Sequence, residues 1–313
     1  IGVQQRAIQA YGQWVAAGQQ VRVYRSLVGL AQDRQDGIRR QVQLGARAAI
    51  LLTENEQNLL RRQSLLVAAE RDLANAAQRL SLFWRDDDGR PRVATPADLP
   101  TSLPMVRQLR DTDPAAVLAR RPDIQLIEQR LAQGEAKLEL EQNKLLPSLR
   151  LFAEAGKDFG EQGLGGRSRD PFEAVIGFTF SMPLQNRAAK GNVAAAEAYI
   201  NALEWKRRQS EEQILAEIAQ LSTNLTAAER LAVLARDEEV QAEKLAAGER
   251  RLFQAGASDF FLVNLREDAA ANAAIRRLDA EFRLAQARAD LVAVAADLDA
   301  LQLGEDLTGA LQP

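Results

Sequence analysis

Two short segments of alternating polarity, set between long stretches of helical character, constrain the fold of this chain most strongly. In residues 172–184 every even position is apolar, and residues 148–155 alternate in the same way except at Phe152. Alternation with a period of two predicts strands with one apolar face. A strand crosses a hydrocarbon layer at a tilt with about 9–11 residues, a length that these segments approach or exceed. We therefore predict a membrane β-hairpin over residues 148–184. Its expected lipid-facing residues are Phe172, Ile176, Phe178 and Phe180.

Proline is confined to the middle of the chain and to its last residue, with none in residues 1–90 or 184–312. Flanks without helix breakers predict helices far longer than the usual 11–12 residues. The expected order is a first long helical pair (1–84), an irregular connector (85–121), a helix (122–147), the hairpin (148–184), a second long helical pair (185–303) and a C-terminal tail (304–313). No apolar run approaches the roughly 20 residues of a membrane-spanning helix, so any membrane passage must use the strands.

An internal repeat relates the two helical pairs. Gly45-Ala46 aligns with Gly256-Ala257, and identities at the same offset continue along both pairs. In each copy one helical pattern ends at the glycine and another begins a few residues later, which predicts a helix–turn–helix tip with a left-handed glycine. A helix and a hairpin precede only the second copy. We therefore expect their first-copy counterparts to be missing from the N-terminus, with Ile1 inside a helix; the alternative is a natural start at Ile1 with one hairpin.

Apolar residues on the long helices recur in steps of three and four. One such seam consists of Ile214, Ile218, Leu221, Leu225, Ala228, Ala232 and Ala235. Similar seams occupy residues 275–296 and 59–83, where Arg62 interrupts the stripe. A 3.5-residue repeat predicts knobs-into-holes packing, and alanine in the seam allows close approach. Further apolar positions widen the stripes, which favours a sheet or cylinder of helices over a simple pair.

The composition excludes several classes of function. The chain has no cysteine and no histidine, which removes disulfides, thiolate metal sites and the commonest general base. The net charge is −3 with both signs interspersed, a pattern that provides no basic surface for nucleic acid. Adjacent carboxylates such as Glu238 and Glu239 point apart on a helix and are interpreted as solvated charge. We predict no enzyme activity, no cofactor, no metal site and no nucleic-acid partner.

Three motifs, in this order along the chain, resemble those of the TolC family of trimeric outer-membrane channel proteins. They are Arg121-Pro122-Asp123-Ile124 leading to Leu146-Pro147-Ser148-Leu149, Ser181-Met182-Pro183-Leu184 after the second strand, and the segment from Phe253 to Phe260 at the second tip. The resemblance implies a mainly α-helical homotrimer whose strands form one β-barrel and whose helices form a periplasmic tunnel. It also implies location in the outer membrane of a Gram-negative bacterium, with most of the mass in the periplasm. The implied partners are a periplasmic adaptor (membrane fusion) protein, an inner-membrane pump and outer-membrane lipid.

The same resemblance indicates where the tunnel entrance and the partner surface lie. In several family members, carboxylates one and two turns beyond the tip glycine narrow the entrance, but the matching positions hold Leu262 and Leu265. We expect these leucines and the charged residues near them to close the entrance. Among the charged residues, Arg266 is expected to pair with a carboxylate of a neighbouring protomer. The expected gate comprises Asp259, Leu262, Leu265, Arg266, Glu267 and Asp268, and the expected adaptor-docking tips comprise Gly45, Ala46, Arg47, Gly256, Ala257 and Ser258.

Two functions remain open at the level of sequence. The first is a passive outer-membrane exit duct of a tripartite efflux or secretion system. Its cargo is left open among drugs, metal ions and proteins, although the tip resembles members that serve heavy-metal pumps. The second is a non-membrane coiled-coil scaffold or periplasmic adaptor. An adaptor needs compact domains of many short strands, whereas only two strands are predicted.

Overall fold

The computed structural model describes residues 2–101, 113–156, 172–182 and 185–296. Its helices are α1 (Gly2–Gln43), α2 (Ile50–Leu80), α3 (Pro114–Arg120), α4 (Pro122–Asn143), α5 (Arg187–Gln254) and α6 (Phe260–Val294), and its strands are β1 (Ser148–Gly156) and β2 (Glu173–Ser181). The predicted fold class is confirmed, because long helices precede and follow one antiparallel two-stranded sheet along the chain. Ile1, the hairpin loop, Pro183, Leu184 and the predicted C-terminal tail lie outside the described residues.

The long helices follow from the distribution of helix breakers. α1 spans 42 residues and α5 spans 68, whereas α2 and α6 reach 31 and 35. None of the described helices is both long and apolar enough to cross a membrane. The connector is less irregular than expected, since Pro114 begins α3. Proline is tolerated at the first helical position, where its missing N–H needs no partner.

The chain divides into two compact units, of which residues Arg121–Gln213 form one and the rest of the chain forms the other. In the larger unit α1 packs against both α2 and α6. Trp14 and Val15 of α1 are buried with Leu73 and Leu80 of α2. Apolar burial of this kind is the main source of stability for helices of this length, because propensity alone contributes little.

The connector is fixed to α1 by one apolar and two polar contacts. Gly18 lies directly under the side chain of Leu99, where any larger residue would meet its methyl groups. The neighbouring Gln19 donates hydrogen bonds of 3.1 Å to the carbonyl oxygens of both Pro100 and Thr101. These contacts satisfy backbone acceptors that would otherwise need water.

The smaller unit contains α4, the hairpin and the first part of α5. Glu141, at the end of α4, accepts hydrogen bonds from Lys144 at 2.7 Å and from Asn192 of α5 at 3.2 Å. The hydrogen bond from Lys144 is the largest cause of a lowered pKa at the Glu141 carboxyl. Gly134 of α4 lies against Ile200 of α5, where an added Cβ would be 3.1 Å from the Ile200 Cγ1 atom. These contacts join α4 to the first part of α5.

Candidate functional site

The hairpin carries a continuous apolar face. The antiparallel register pairs Leu149 with Phe180, Leu151 with Phe178 and Ala153 with Ile176, and directly opposed residues of a ladder share a face. Ile176, Phe178 and Phe180 are 80%, 73% and 60% exposed, and Phe172 just before β2 is also exposed. An exposed apolar surface of this kind marks a contact with lipid or with another apolar surface.

The opposite face of the hairpin carries the charged and hydroxyl side chains, together with two partly exposed apolar ones, Phe152 and Val175. It carries the pairs Arg150 with Thr179, Phe152 with Gly177 and Glu154 with Val175. Phe152, the exception in the alternating pattern, lies over Gly177, where an added Cβ would be 2.5 Å from the end of its ring. The phenylalanine thus covers a residue that has no side chain, which explains an aromatic ring on the polar side.

Both tips have the same backbone geometry. Gly45 and Gly256 have φ angles of +69° and +78°, in the left-handed region that glycine adopts without strain. The Ala46 N–H donates to the Gln41 carbonyl and the Ala257 N–H donates to the Leu252 carbonyl, each at 2.8 Å. With the bonds from Gly45 to Val42 and from Gly256 to Phe253, these are two Schellman motifs. The left-handed glycines predicted at both helix ends are confirmed.

The two tips contact each other through arginine and aromatic side chains. The Arg47 guanidinium lies 4.5 Å from the centroid of the Phe253 ring, and Arg34 of α1 lies 5.7 Å from that of Phe260. The two phenylalanine rings are 6.4 Å apart in a tilted arrangement. A cation over an aromatic face contributes about 0.5–1 kcal/mol at an exposed site, so the tips are joined by modest, separable contacts.

Asp259 and Ser258 have local structural roles at the second tip. The Asp259 carboxylate accepts a hydrogen bond of 2.7 Å from the Leu262 N–H and caps α6. Ser258 donates a hydrogen bond to Glu249 near the end of α5. Capping of this kind typically contributes about 1 kcal/mol. Leu265 is half-exposed and Leu262 is partly buried, so both leucines retain surface that a neighbour can cover.

A buried charge network joins α1, α2 and α6 below the tips. Arg62 is fully buried, and its Nη2 atom donates to Glu267 at 3.0 Å and to Asp268 at 3.1 Å. Arg34 forms an ion pair with Glu267, and Arg61 forms one with Asp268. We call Arg34, Arg61, Arg62, Glu267 and Asp268 the tip network. Two carboxylates are thereby held by cations from two other helices.

Further hydrogen bonds bind two more donors of this network, whereas the buried Nε atom of Arg62 has no hydrogen-bond partner among the described residues. The Nη1 atom of Arg62 donates to the Leu27 carbonyl at 3.1 Å. The Nη1 atom of Arg34 donates to the Asn264 side chain at 2.7 Å. Buried charges are tolerated only when they are paired and hydrogen-bonded, and the network meets both conditions at Glu267.

The cations of the network differ from the one that the sequence singled out. Arg266 directly precedes Glu267, yet it forms no ion pair among the described residues, and its Nε atom is buried there without a hydrogen-bond partner. The sequence could have indicated a role for Arg62, because this charged residue interrupts the apolar stripe of α2. Nothing in the sequence indicates the role of Arg34, since that role depends on the packing of α1 against α6.

A second row of ion pairs joins α5 to α6. Its members are Glu229 with Arg288, Glu238 with Arg276, Glu239 with Arg277, and Arg236 with Glu281. The hydrogen bonds from Arg276 hold the pKa of the Glu238 carboxyl below its ordinary value. Glu238 and Glu239, interpreted from the sequence as solvated charge, therefore cross-link two helices. No group of histidine, cysteine or acidic side chains in the described part of the chain could hold a metal ion.

Comparison with known proteins identifies a family model that matches this architecture. The model described as outer membrane efflux protein matches residues 114–298, which agrees with the resemblance drawn from the sequence motifs. No curated protein is significantly similar in sequence to this chain.

Several solved structures of membrane proteins share the fold. The open state of the Neisseria gonorrhoeae MtrE outer membrane channel has a TM-score of 0.76 and 18% identity, over 93% of this chain and 65% of that one. The Campylobacter jejuni CmeC outer membrane channel has a TM-score of 0.71 and 17% identity, over 98% of this chain and 64% of that one. A membrane protein from Pseudomonas aeruginosa has a TM-score of 0.74 and 17% identity, over 93% of this chain and 66% of that one. This chain thus spans just under two thirds of the length of these three proteins.

Proposed function

Since this chain belongs to the outer membrane efflux protein family, we propose that the full-length protein is the outer-membrane exit duct of a tripartite efflux or secretion system. In this proposal three protomers form one barrel and one periplasmic tunnel in a Gram-negative outer membrane. A periplasmic adaptor and an inner-membrane pump deliver the cargo, which then passes through passively.

The single observation that carries the proposal is the division of the hairpin into an apolar and a polar face. An isolated two-stranded sheet is at best marginally stable in water, and this one exposes Leu151, Ile176 and Phe178 on one side. Hydrocarbon covers such a face favourably, while Arg150, Glu154 and Thr179 on the other side require water. A closed barrel with lipid outside and water inside satisfies both faces.

The helix tips supply the proposed partner surface and gate. Gly45, Ala46 and Arg47 at one tip, and Gly256, Ala257 and Ser258 at the other, form the proposed adaptor-docking surface. Glu267 and Asp268, held by the tip network, are proposed to keep α6 in its resting position. Leu262 and Leu265 add an apolar constriction, with Asp259 fixing the start of α6. Arg266 is proposed to bind a carboxylate of the neighbouring protomer.

The alternative function, a non-membrane scaffold or a periplasmic adaptor, is disfavoured by the family match. That match covers α3, α4, both strands, α5 and all of α6. It therefore includes the elements on which the membrane interpretation depends.

The proposal is tested by placing a charge on each face of the hairpin. In the full-length protein we expect Ile176→Arg and Phe178→Arg to impair insertion into the outer membrane, because a cation at mid-bilayer on the outer face of a barrel costs about 2–4 kcal/mol. Thr179→Arg, one residue from Phe178 but on the polar face, is the matched control and should insert normally. Equal insertion of all three variants would contradict the membrane assignment.

A further inference from the structure

We propose that Arg150 sets the charge preference of the duct, favouring anionic over cationic solutes where the hairpin meets the helices. The inference rests on the proposed function, because it requires the polar face of the hairpin to line water. It concerns a residue that neither the gate nor the docking surface includes.

The fold places Arg150 near the helical end of the hairpin. It is the third residue of β1, which follows α4 after a short link. Its cross-strand partner Thr179 precedes the end of β2 by two residues. Glu154 lies on the same face, about 13 Å further along the strand at roughly 3.3 Å per residue. The face therefore carries a cation near the helices and an anion near the loop.

No described residue neutralises either charge. Arg150 and Glu154 are exposed and form no ion pair within the described ranges. They cannot reach each other, because Phe152 lies between them with its ring over Gly177. Glu141, the last carboxylate of α4, is already bound by Lys144 and Asn192.

A guanidinium at this position that no described residue pairs requires water. Burial of an unpaired charge in an apolar medium is very costly, whereas the polar face of a barrel offers an aqueous interior. Walls of low dielectric concentrate the field of charges that line a conduit. Repeated once in each protomer, Arg150 forms a ring of positive charge that concentrates anions and repels cations.

The test is the ion selectivity of the full-length protein in planar bilayers under a potassium chloride gradient. We expect Arg150→Gln to raise the potassium-to-chloride permeability ratio by about two- to tenfold at low salt. The effect should shrink at 1 M salt, where the screening length is about 3 Å. Glu154→Gln should shift the ratio in the opposite direction. Leu151→Ala, on the apolar face, is the control and should leave the ratio unchanged.

A cysteine at position 150 allows the charge to be restored in an inserted channel, because residues 1–313 contain no other thiol; full-length protein without the substitution, treated with the same reagents, is the control. We expect a cationic methanethiosulfonate reagent to return the Arg150→Cys channel toward the wild-type ratio, and an anionic one to move it further away. If the Arg150 variants do not insert, Thr179→Asp provides a second measurement, since it places a carboxylate opposite Arg150 and should raise the ratio.

The outcomes separate this inference from the proposed function. Wild-type protein that forms no channels would overturn the function itself. Channels whose permeability ratio is unchanged in Arg150→Gln and in Thr179→Asp, and whose Arg150→Cys form does not respond to either reagent, would overturn the role of Arg150 alone.

Discussion

Arg62 of α2 and Glu267 of α6 are both buried, at 0% and 2% exposure, and are joined by a hydrogen bond of 3.0 Å. The pair links two helices that lie far apart in the sequence. Arg34 and Asp268 extend the pair into the tip network. The stability of the tips and the state of the proposed gate should therefore depend on the same few side chains.

Removal of the Arg62 charge should destabilise the helical region strongly. Arg62→Met keeps most of the side-chain volume but leaves Glu267 buried with one cation fewer. We expect it to lower the free energy of unfolding by about 3 kcal/mol, as for other broken buried ion pairs. The measurement is urea denaturation of the full-length protein, followed by helical circular dichroism.

Arg25→Met is the matched control for this experiment. Arg25 of α1 pairs with Glu70 of α2, so this pair also anchors α2 to a neighbouring helix, but both of its side chains are exposed. Exposed pairs contribute about 0.2–1 kcal/mol, so this variant should lower the free energy of unfolding only slightly. Similar losses in the two variants would show that burial of the tip network has no energetic role.

Substitution of the tip glycines should reduce stability through backbone strain. Gly45→Ala and Gly256→Ala force alanine into the left-handed region, at a cost of roughly 1–2 kcal/mol each. Gly29→Ala in α1 is the control, because an added Cβ there meets no atom within 4 Å. That variant should gain about 0.5–1 kcal/mol from helix propensity. A melting temperature that is lower for Gly29→Ala than for the tip variants would contradict the left-handed backbone geometry assigned to the tip glycines.

Much of the fold could be predicted from local patterns. The alternation in residues 148–155 and 172–184 predicted both strands, because the faces of a strand are set by neighbouring residues. Gly45 and Gly256 predicted two helix ends, because a left-handed cap is also a local feature. α3 was missed because Pro114 starts a helix instead of preventing one. The contacts of Arg34 could not be predicted, since they join residues of α1 and α6 that only tertiary packing brings together.

The ion pair between Glu238 and Arg276 should make the pairing of α5 with α6 sensitive to acid. Arg276 lowers the pKa of the Glu238 carboxyl in the folded state. The stabilisation is therefore present above the ordinary value of 4.5 and is lost as the pH falls through the lowered value. The difference in melting temperature between wild type and Glu238→Gln should be largest near neutral pH and disappear in acid.

Glu217→Gln is the control for the acid effect. Glu217 also lies exposed on α5, but it forms no ion pair among the residues that the structure describes. Its substitution should change the melting temperature little at neutral pH. If the two variants follow the same pH dependence, the pair with Arg276 does not stabilise the contact between the helices.

The gate proposal predicts that weakening the tip network opens the entrance. Arg62→Met and Glu267→Gln should raise the single-channel conductance, because α6 is released from α1 and α2. Arg266→Ala should raise it as well, through loss of the proposed contact with a neighbouring protomer. If the conductance is unchanged in all three variants but rises in Leu262→Ala or Leu265→Ala, the entrance is closed by apolar packing and not by charge.

Single-channel recording of the purified, full-length wild-type protein in planar bilayers tests the central claim most directly. A duct predicts insertion followed by uniform steps of conductance, each from one complete assembly. Folded, homogeneous protein that remains soluble without detergent and produces no steps would contradict the duct and favour the scaffold.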